Sequence, residues 1–580
     1  MNHNPRARFD FPPQSWEECR KRGWRSYDVL LVTGDAYVDH PSFGVAIIAR
    51  ALEADGLKVA ILAQPRHDRL DDFRQFPAPR LFCGITGGNL DSIVANYSAG
   101  GKVRDKDAYS PDGNPWRGER DRKNRRRPDR ACLVYSHLAR AVFPTTLLVL
   151  GGIEASLRRF VHYDYQQAIL RASILCDAKA DLLVYGMGER ATREIASRLR
   201  EHLPLTGVVG TCERLTEAEK ERRAEAADGL LALASFAAIT ARPRLFLETE
   251  LTIDRLARQD DRRVLLQNQG SHWLLQNPAA APLSTREFDA IYALPYTRRA
   301  HPAAGDIPAA RMIADSVTIV RGCAGGCSFC AITRHQGAVI QSRSRVAIVA
   351  ECAKIAGRAD FNGTISDLGG PTANLYASRC AIRGCRRRDC LYPQVCKNLE
   401  TDEDEFLQLL RDVSAISGVR HVFISSGLRM ELLRKTPRLL RQILDKHCPG
   451  VLKIAPEHSS ERVLRLMHKE KHEELRQLLD LCRKIGRDLG KPAWLSPYVL
   501  SAHPGATEED ARILARDMKK LGLTVAAFQD FTPTPGTIAT AMYVTGLDRD
   551  SGQAIPVARG AAERMRQRKM LEALLPKKGR

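Results

Sequence analysis

Short apolar runs alternate with helical patterns along most of this chain, and that alternation constrains its fold more than any other feature. From about residue 312 the runs SVTIVRG, FNGTISDLGG, HVFISSG, VLKIAPE, PAWLSPYVLS and TVAAFQDFTP follow one another, with helix-like segments such as RSRVAIVAECAKIA between them. Strands that are apolar over their whole length suit a parallel sheet covered on both faces. Repeated strand–helix units of this kind predict a partial or complete parallel barrel, whose active site lies at the C-terminal ends of the strands.

The first part of the chain alternates in the same way. YDVLLVT reads as a buried strand, FGVAIIARALEADG as a helix ending on Gly56, and KVAILAQ as a second strand. TTLLVLGG and ADLLVYGMGERATREIASRL repeat the theme, which predicts an open, doubly wound α/β domain. Its crevice is expected where Asp39, His40, Gly151, Gly152, Glu154, Gly186 and Glu189 cluster at the strand ends. Tight turns explain the glycines equally well. The expected organisation is an α/β domain over residues 1–210, a helical and irregular connection over 211–304, a barrel over 305–548 and a basic helix and tail over 549–580.

Composition narrows the class. The 580 residues are 44% hydrophobic and 27% charged, as in a globular protein, and no apolar run reaches the length of about 20 residues that spans a bilayer. The N-terminus lacks the apolar stretch of a secretory signal, so a cytoplasmic location is expected. Fifteen cysteines there are expected as free thiols or metal ligands rather than disulfides. Of the net charge of +21, a local share sits in RGERDRKNRRRPDR (117–130), which reads as a solvated surface loop.

Directly after the strand SVTIV comes RGCAGGCSFC, with Cys323, Cys327 and Cys330 within eight positions. Three thiolates suit an iron–sulfur cubane with one iron left open. Zinc with a distant fourth ligand is the alternative, since His335 lies five residues past Cys330, and chance clustering is the third.

CAGGCSFC resembles the CxxxCxxC signature of radical S-adenosylmethionine enzymes, including the aromatic Phe329 before the last cysteine. The resemblance implies a [4Fe-4S] cluster on Cys323, Cys327 and Cys330. It further implies S-adenosylmethionine on the open iron, an electron donor of the flavodoxin or ferredoxin kind, and cleavage to a 5′-deoxyadenosyl radical. SDLGGPTANLY is similar to the family's Gly-Gly motif, which puts Gly369 and Gly370 beside the methionine amine. The usual acidic residue after the glycines is Pro371 here, leaving backbone carbonyls or Asp367 to face that amine. KIAPEHSSERVLRLM resembles the later cofactor-contacting segment, with Glu457 and Ser459 as the contacts.

Longer segments narrow the match. VDHPSFG, GGIEASLRRFVHYDY, VYGMGER, ALPYTRRAHP and DLGGPTANLY look like the YgiQ-like radical S-adenosylmethionine proteins, a group without an assigned reaction. The N-terminal domain also resembles the Rossmann-type cobalamin-binding domain of some radical S-adenosylmethionine enzymes. The Asp-x-His-x-x-Gly ligand motif is absent, because Asp39 directly precedes His40, so cobalamin through His40 is not expected and base-off binding without a histidine is the alternative.

A second group, Cys380, Cys385, Cys390 and Cys396, lies in an insertion over 378–398. Zinc, an auxiliary cluster and unligated thiols are the three readings, and neighbouring arginines favour thiolates. Cys352 sits on a helical pattern and reads as core. As partner, a small molecule is favoured over RNA, because no basic aromatic platform for stacking bases is visible. The competing reading is a non-catalytic, metal-stabilised nucleic-acid-binding protein.

Overall fold

The apolar runs of the first part become strands buried on both faces: β1 (Val29–Thr33), β2 (Val59–Ala63), β3 (Phe82–Thr86) and β4 (Leu147–Gly151). The computed structural model describes residues 10–118, 124–226, 229–259, 261–382, 385, 389–525, 528–572 and 574–575, without the side chains of 224–226. A hairpin, β5 (His162–Asp164) and β6 (Ile169–Arg171), precedes β7 (Leu182–Val184). Four further strands follow: β8 (Thr211–Leu215), β9 (Leu230–Ala232), β10 (Val264–Asn268) and β11 (Trp273–Gln276).

All of these except the β5–β6 hairpin form one sheet in the order β2-β1-β3-β4-β7-β8-β11-β10-β9. Pairing is parallel from β2 to β7, antiparallel through β8, β11 and β10, and parallel again to β9. The sheet is therefore mixed, and it runs well past residue 210 into the stretch expected as a connection. Its polar strand residues account for the difference. Gln267 is fully buried, accepts from the Val161 amide at 3.1 Å and donates to the Ala234 carbonyl at 2.9 Å. Such residues serve buried backbone groups, so the apolar signature of a strand is lost.

The flanks of the basic run are also internal rather than solvated. Arg127 is 1% exposed and pairs with Asp35 at 2.5 Å and Asp107 at 3.1 Å. Arg125 is buried and lies over the Trp116 ring. Residues 119–123, in the middle of that run, lie outside the described residues.

In the second part, Ser316–Thr318, Asp367–Gly369, His421–Val422, Val451–Glu457, Trp494–Ser501 and Phe528–Asp530 run parallel in chain order. Ser316 pairs with Asp367, Ile365 with Val422, Leu428 with Ile454, Val451 with Trp494 and Val499 with Phe528. This arc of six strand–helix units is a partial barrel. Val317, Leu368, Ile454 and Val499 form its core with Ile348, Leu409, Leu478 and Leu514 from the surrounding helices. Cys352 and Cys482 are fully buried in the same core. Helix Ala561–Glu572 covers the last strands, where Gln567 accepts from the Ala502 amide at 3.2 Å and Arg568 pairs with Asp530 at 2.9 Å. Among the described residues no helix is long and apolar enough to cross a membrane.

Candidate active site: the cysteine loop and the interdomain cavity

The cysteine loop follows the first barrel strand by way of Val320–Arg321, a two-residue strand paired with Gln341–Ser342, where a barrel keeps its chemistry. Gly326 lets Asp389 of the cysteine insertion approach it closely. A Cβ on Gly326 would fall 2.0 Å from Asp389 Oδ2, and one on Gly325 would fall 3.5 Å from Cys323 Sγ. The Gly325 amide lies 3.5 Å from Cys323 Sγ, and the Cys330 amide donates to the Cys327 carbonyl at 3.1 Å. From the first domain, Arg258 donates to the Gly325 carbonyl at 3.0 Å and to Thr333 Oγ1 at 3.1 Å.

Charge converges on Cys327. Arg429 Nη1 donates to its Sγ at 3.2 Å, and Lys469 lies close enough to act on it electrostatically. Burial raises the Cys327 thiol and pushes that of Cys330 up to about 12. Without a cation such thiols stay protonated, and bound iron would supply the charge that thiolates need. Among the described residues, no three Cys, His, Asp or Glu side chains converge on a site for a single metal ion. A cubane places each thiolate on a different iron and does not demand that convergence.

The Gly-Gly segment closes on this loop. A Cβ on Gly369 would fall 2.1 Å from Ser426 Oγ, and one on Gly370 would fall 2.3 Å from the Val320 carbonyl oxygen. Only glycine allows this approach. Two residues on, Thr372 Oγ1 lies 3.8 Å from Cys323 Sγ. Asp367 stays beside Gly369, with its carboxylate accepting from the amides of Ser425 at 2.8 Å and Ser426 at 3.0 Å, and from the Ser426 hydroxyl.

Glu457 ends the fourth strand with a left-handed backbone, φ +64°, which is uncommon outside glycine. Burial raises its carboxyl to about 7, with Lys469 opposing and Glu470 reinforcing the shift. Around it lie Arg429 paired with Glu431 at 2.6 Å and Lys469 paired with Glu470 at 3.1 Å. Ser459 Oγ and Glu431 Oε2 are buried with no hydrogen-bond partner. A cationic, hydrogen-bonding ligand is what such a shell lacks. Arg429, Lys469 and Glu470 were not among the residues expected from sequence, although Arg429 follows a predicted strand end and was legible by position.

The expected crevice is only partly open. Gly151, Gly152, Gly186 and Glu189 line a cavity of about 460 Å³ that also takes in Gly370 and Pro371 of the barrel. Asp39 and Glu154 are spent on structure. Asp39 pairs with Arg50 at 2.5 Å, and Glu154 accepts from the amides of Ser92 at 2.9 Å and Cys132 at 2.8 Å. His40 is 1% exposed, with Nδ1 on the Ser42 amide and Nε2 on Arg298. Both ring nitrogens are thus engaged within the fold. His335, weighed as a zinc ligand, lines the cavity and meets Ser156 Oγ at 3.0 Å. Arg321 and Glu189, paired at 2.6 Å, stand on the same wall.

The second cysteine group is spread over different environments. Cys380 is exposed, Cys385 and Cys390 are half-buried and Cys396 is buried. The insertion nevertheless packs on the cluster loop: the Cys390 amide donates to the Ala324 carbonyl at 3.0 Å, and Leu391 lies against Gly325.

Comparisons with known proteins agree with this architecture. The "Radical SAM N-terminal" family profile matches residues 11–316, and "Radical SAM superfamily" matches residues 317–518. The UPF0313 protein of Geobacter sulfurreducens is 44% identical over 98% of this chain and 93% of its own length. That of Methanocella arvoryzae is 42% identical over 96% and 92%. Among solved structures, the radical S-adenosylmethionine methyltransferase TsrM from Kitasatospora setae superposes with a TM-score of 0.54 at 15% identity, covering 95% of this chain and 89% of its own. A second TsrM structure, with cobalamin and a [4Fe-4S] cluster bound, gives 0.52 at 16% over 93% and 85%. At that identity the likeness concerns the fold alone. A mixed Rossmann-like sheet joined to a radical S-adenosylmethionine domain thus accounts for nearly the whole chain, which belongs to the UPF0313, or YgiQ-like, family of radical S-adenosylmethionine proteins.

Proposed function

We propose that this protein is a radical S-adenosylmethionine enzyme acting on a small molecule held in the cavity between its two domains. Cys323, Cys327 and Cys330 would hold the cluster. When bound, a [4Fe-4S] centre supplies the electron that splits S-adenosylmethionine into methionine and a 5′-deoxyadenosyl radical. Gly369 and Gly370, packed closely on Ser426 and Val320, would present their backbone to the methionine moiety near Cys323, and Glu457 and Ser459 would offer a carboxylate and a hydroxyl to its ammonium. Arg429 and Lys469 lower the cost of negative charge at Cys327. The observation that carries the reading is this meeting of the cysteine loop, the Gly-Gly segment and a buried charged shell at the strand C-terminal ends.

A small molecule is favoured over RNA because the described flanks of the basic run at 117–130 are buried in ion pairs and ring contacts. A flavodoxin- or ferredoxin-like protein would deliver the electron. The reading gives His40 no role as a cobalamin ligand, since both of its ring nitrogens are engaged within the fold. The test is anaerobic reconstitution of the full chain with iron and sulfide, followed by reduction with S-adenosylmethionine present. Bound [4Fe-4S] with formation of 5′-deoxyadenosine supports the reading, and a colourless zinc protein that leaves S-adenosylmethionine intact refutes it.

A further inference from the structure

Between Cys327 and Cys330 stand only Ser328 and Phe329, and both touch one imidazole from the far side of the barrel. Ser328 is 2% exposed and fixed on three sides. Its amide donates to the Met467 carbonyl at 2.9 Å, its carbonyl accepts from the Ala539 amide at 2.8 Å, and its hydroxyl lies 3.1 Å from His503 Nε2. His503, just past the fifth barrel strand (Trp494–Ser501), is fully buried. Its ring meets Phe329 edge-on at 6.2 Å and Phe531 at 5.6 Å.

The tautomer follows from the partners. Nδ1 lies 2.8 Å from the Pro504 carbonyl, which can only accept, so Nδ1 carries the proton. Nε2 therefore presents its lone pair, and the Ser328 hydroxyl donates to it. Burial pulls the imidazole down to about 3, which keeps that lone pair free of a second proton.

We propose that His503 is a positioning residue of the cluster loop: by accepting from Ser328 and packing on Phe329, it fixes the two-residue spacer that sets Cys327 against Cys330. The proposal rests on the cluster assignment above. It makes the late segment SAHPG part of the cluster's support, although no ligand comes from it. Residues that orient metal ligands from behind typically matter by about 10–100-fold in metal affinity or activity.

The test uses the reconstituted full chain and four variants: His503→Phe, Ser328→Ala, their double variant and His503→Gln, whose side-chain oxygen restores an acceptor. His503→Phe and Ser328→Ala should each weaken cluster retention about 10-fold or more against a chelator. Each should also shift the g-values of the reduced cluster. The double variant should be no worse than the worse single one, as expected for two partners of one interaction. His503→Gln should recover the wild-type spectrum. Ser328→Ala replaces a hydroxyl by hydrogen within an otherwise unchanged backbone, so it reports even if His503→Phe fails to fold. Wild-type spectra in all variants, additive losses, or a failed rescue by His503→Gln overturn the proposal. A wild-type chain without a cluster refutes the functional reading itself, a separate outcome.

Discussion

Arg429 donates to Cys327 Sγ at 3.2 Å while its other nitrogen pairs with Glu431 at 2.6 Å, so one buried guanidinium bridges the cysteine loop and the third strand–helix connection. Two consequences follow. Arg429→Ala removes the cation beside the thiolate and strands Glu431 without its partner. Loss of one member of a buried pair costs about 3–5 kcal/mol. Chelator-resistant iron should fall about 10-fold or more, with Arg429→Lys intermediate because lysine keeps charge but not the fork geometry. Unchanged iron content in Arg429→Ala would show that the contact is incidental.

Glu457 gives a pH signature. Its carboxyl is raised from 4.5 to about 7 in the folded chain, so the unfolded chain gives up its proton first. Its stabilising influence is complete below about pH 4.5 and is lost as pH rises through about 7. Glu457→Gln, which cannot ionise, should therefore melt higher than wild type at pH 8 and equally at pH 4.5, compared without S-adenosylmethionine. A lower melting temperature for the variant at pH 8 would mean that the carboxylate is compensated in the fold.

Gly370→Ala tests the close approach. Its Cβ would lie 2.3 Å from the Val320 carbonyl oxygen, on the strand that feeds the cysteine loop. Calorimetric titration should show S-adenosylmethionine affinity reduced about 10-fold or more, a backbone shift costing roughly 1–3 kcal/mol. Wild-type affinity would remove the Gly-Gly segment from the cofactor site.

The cysteine insertion supports the first loop through backbone contacts. Replacing residues 378–398 by a short glycine linker removes the Cys390–Ala324 hydrogen bond and the Leu391 contact. Iron bound by Cys323, Cys327 and Cys330 should then become labile. Cys380→Ala, at an exposed position, should leave that iron unchanged. Retention of the full cluster signal after the deletion would make the insertion a separate module.

Much of the barrel was legible because its strands are short apolar runs with a motif at one end. The cysteine loop and the Gly-Gly pair declare themselves by spacing and by residues that only a close backbone approach requires. Partnerships were not legible. Asp39, His40 and Glu154 have the chemistry of a crevice, but Arg50, Arg298 and the Ser92 and Cys132 amides hold them within the fold. Arg127 belongs to a highly charged run, yet Asp35 and Asp107, distant in sequence, draw it inside. Strands β10 and β11 escaped because Gln267 and Gln276 occupy buried strand positions. Burial of a polar group depends on a partner from elsewhere in the chain, and local pattern does not carry that information.

The most direct measurement is electron paramagnetic resonance of the reduced, reconstituted chain with and without S-adenosylmethionine, repeated for Cys323→Ala, Cys327→Ala and Cys330→Ala. The account predicts a [4Fe-4S] signal whose g-values move when S-adenosylmethionine is added, and loss of that response in each cysteine variant. A signal that ignores S-adenosylmethionine, or a variant that keeps the wild-type response, would contradict it.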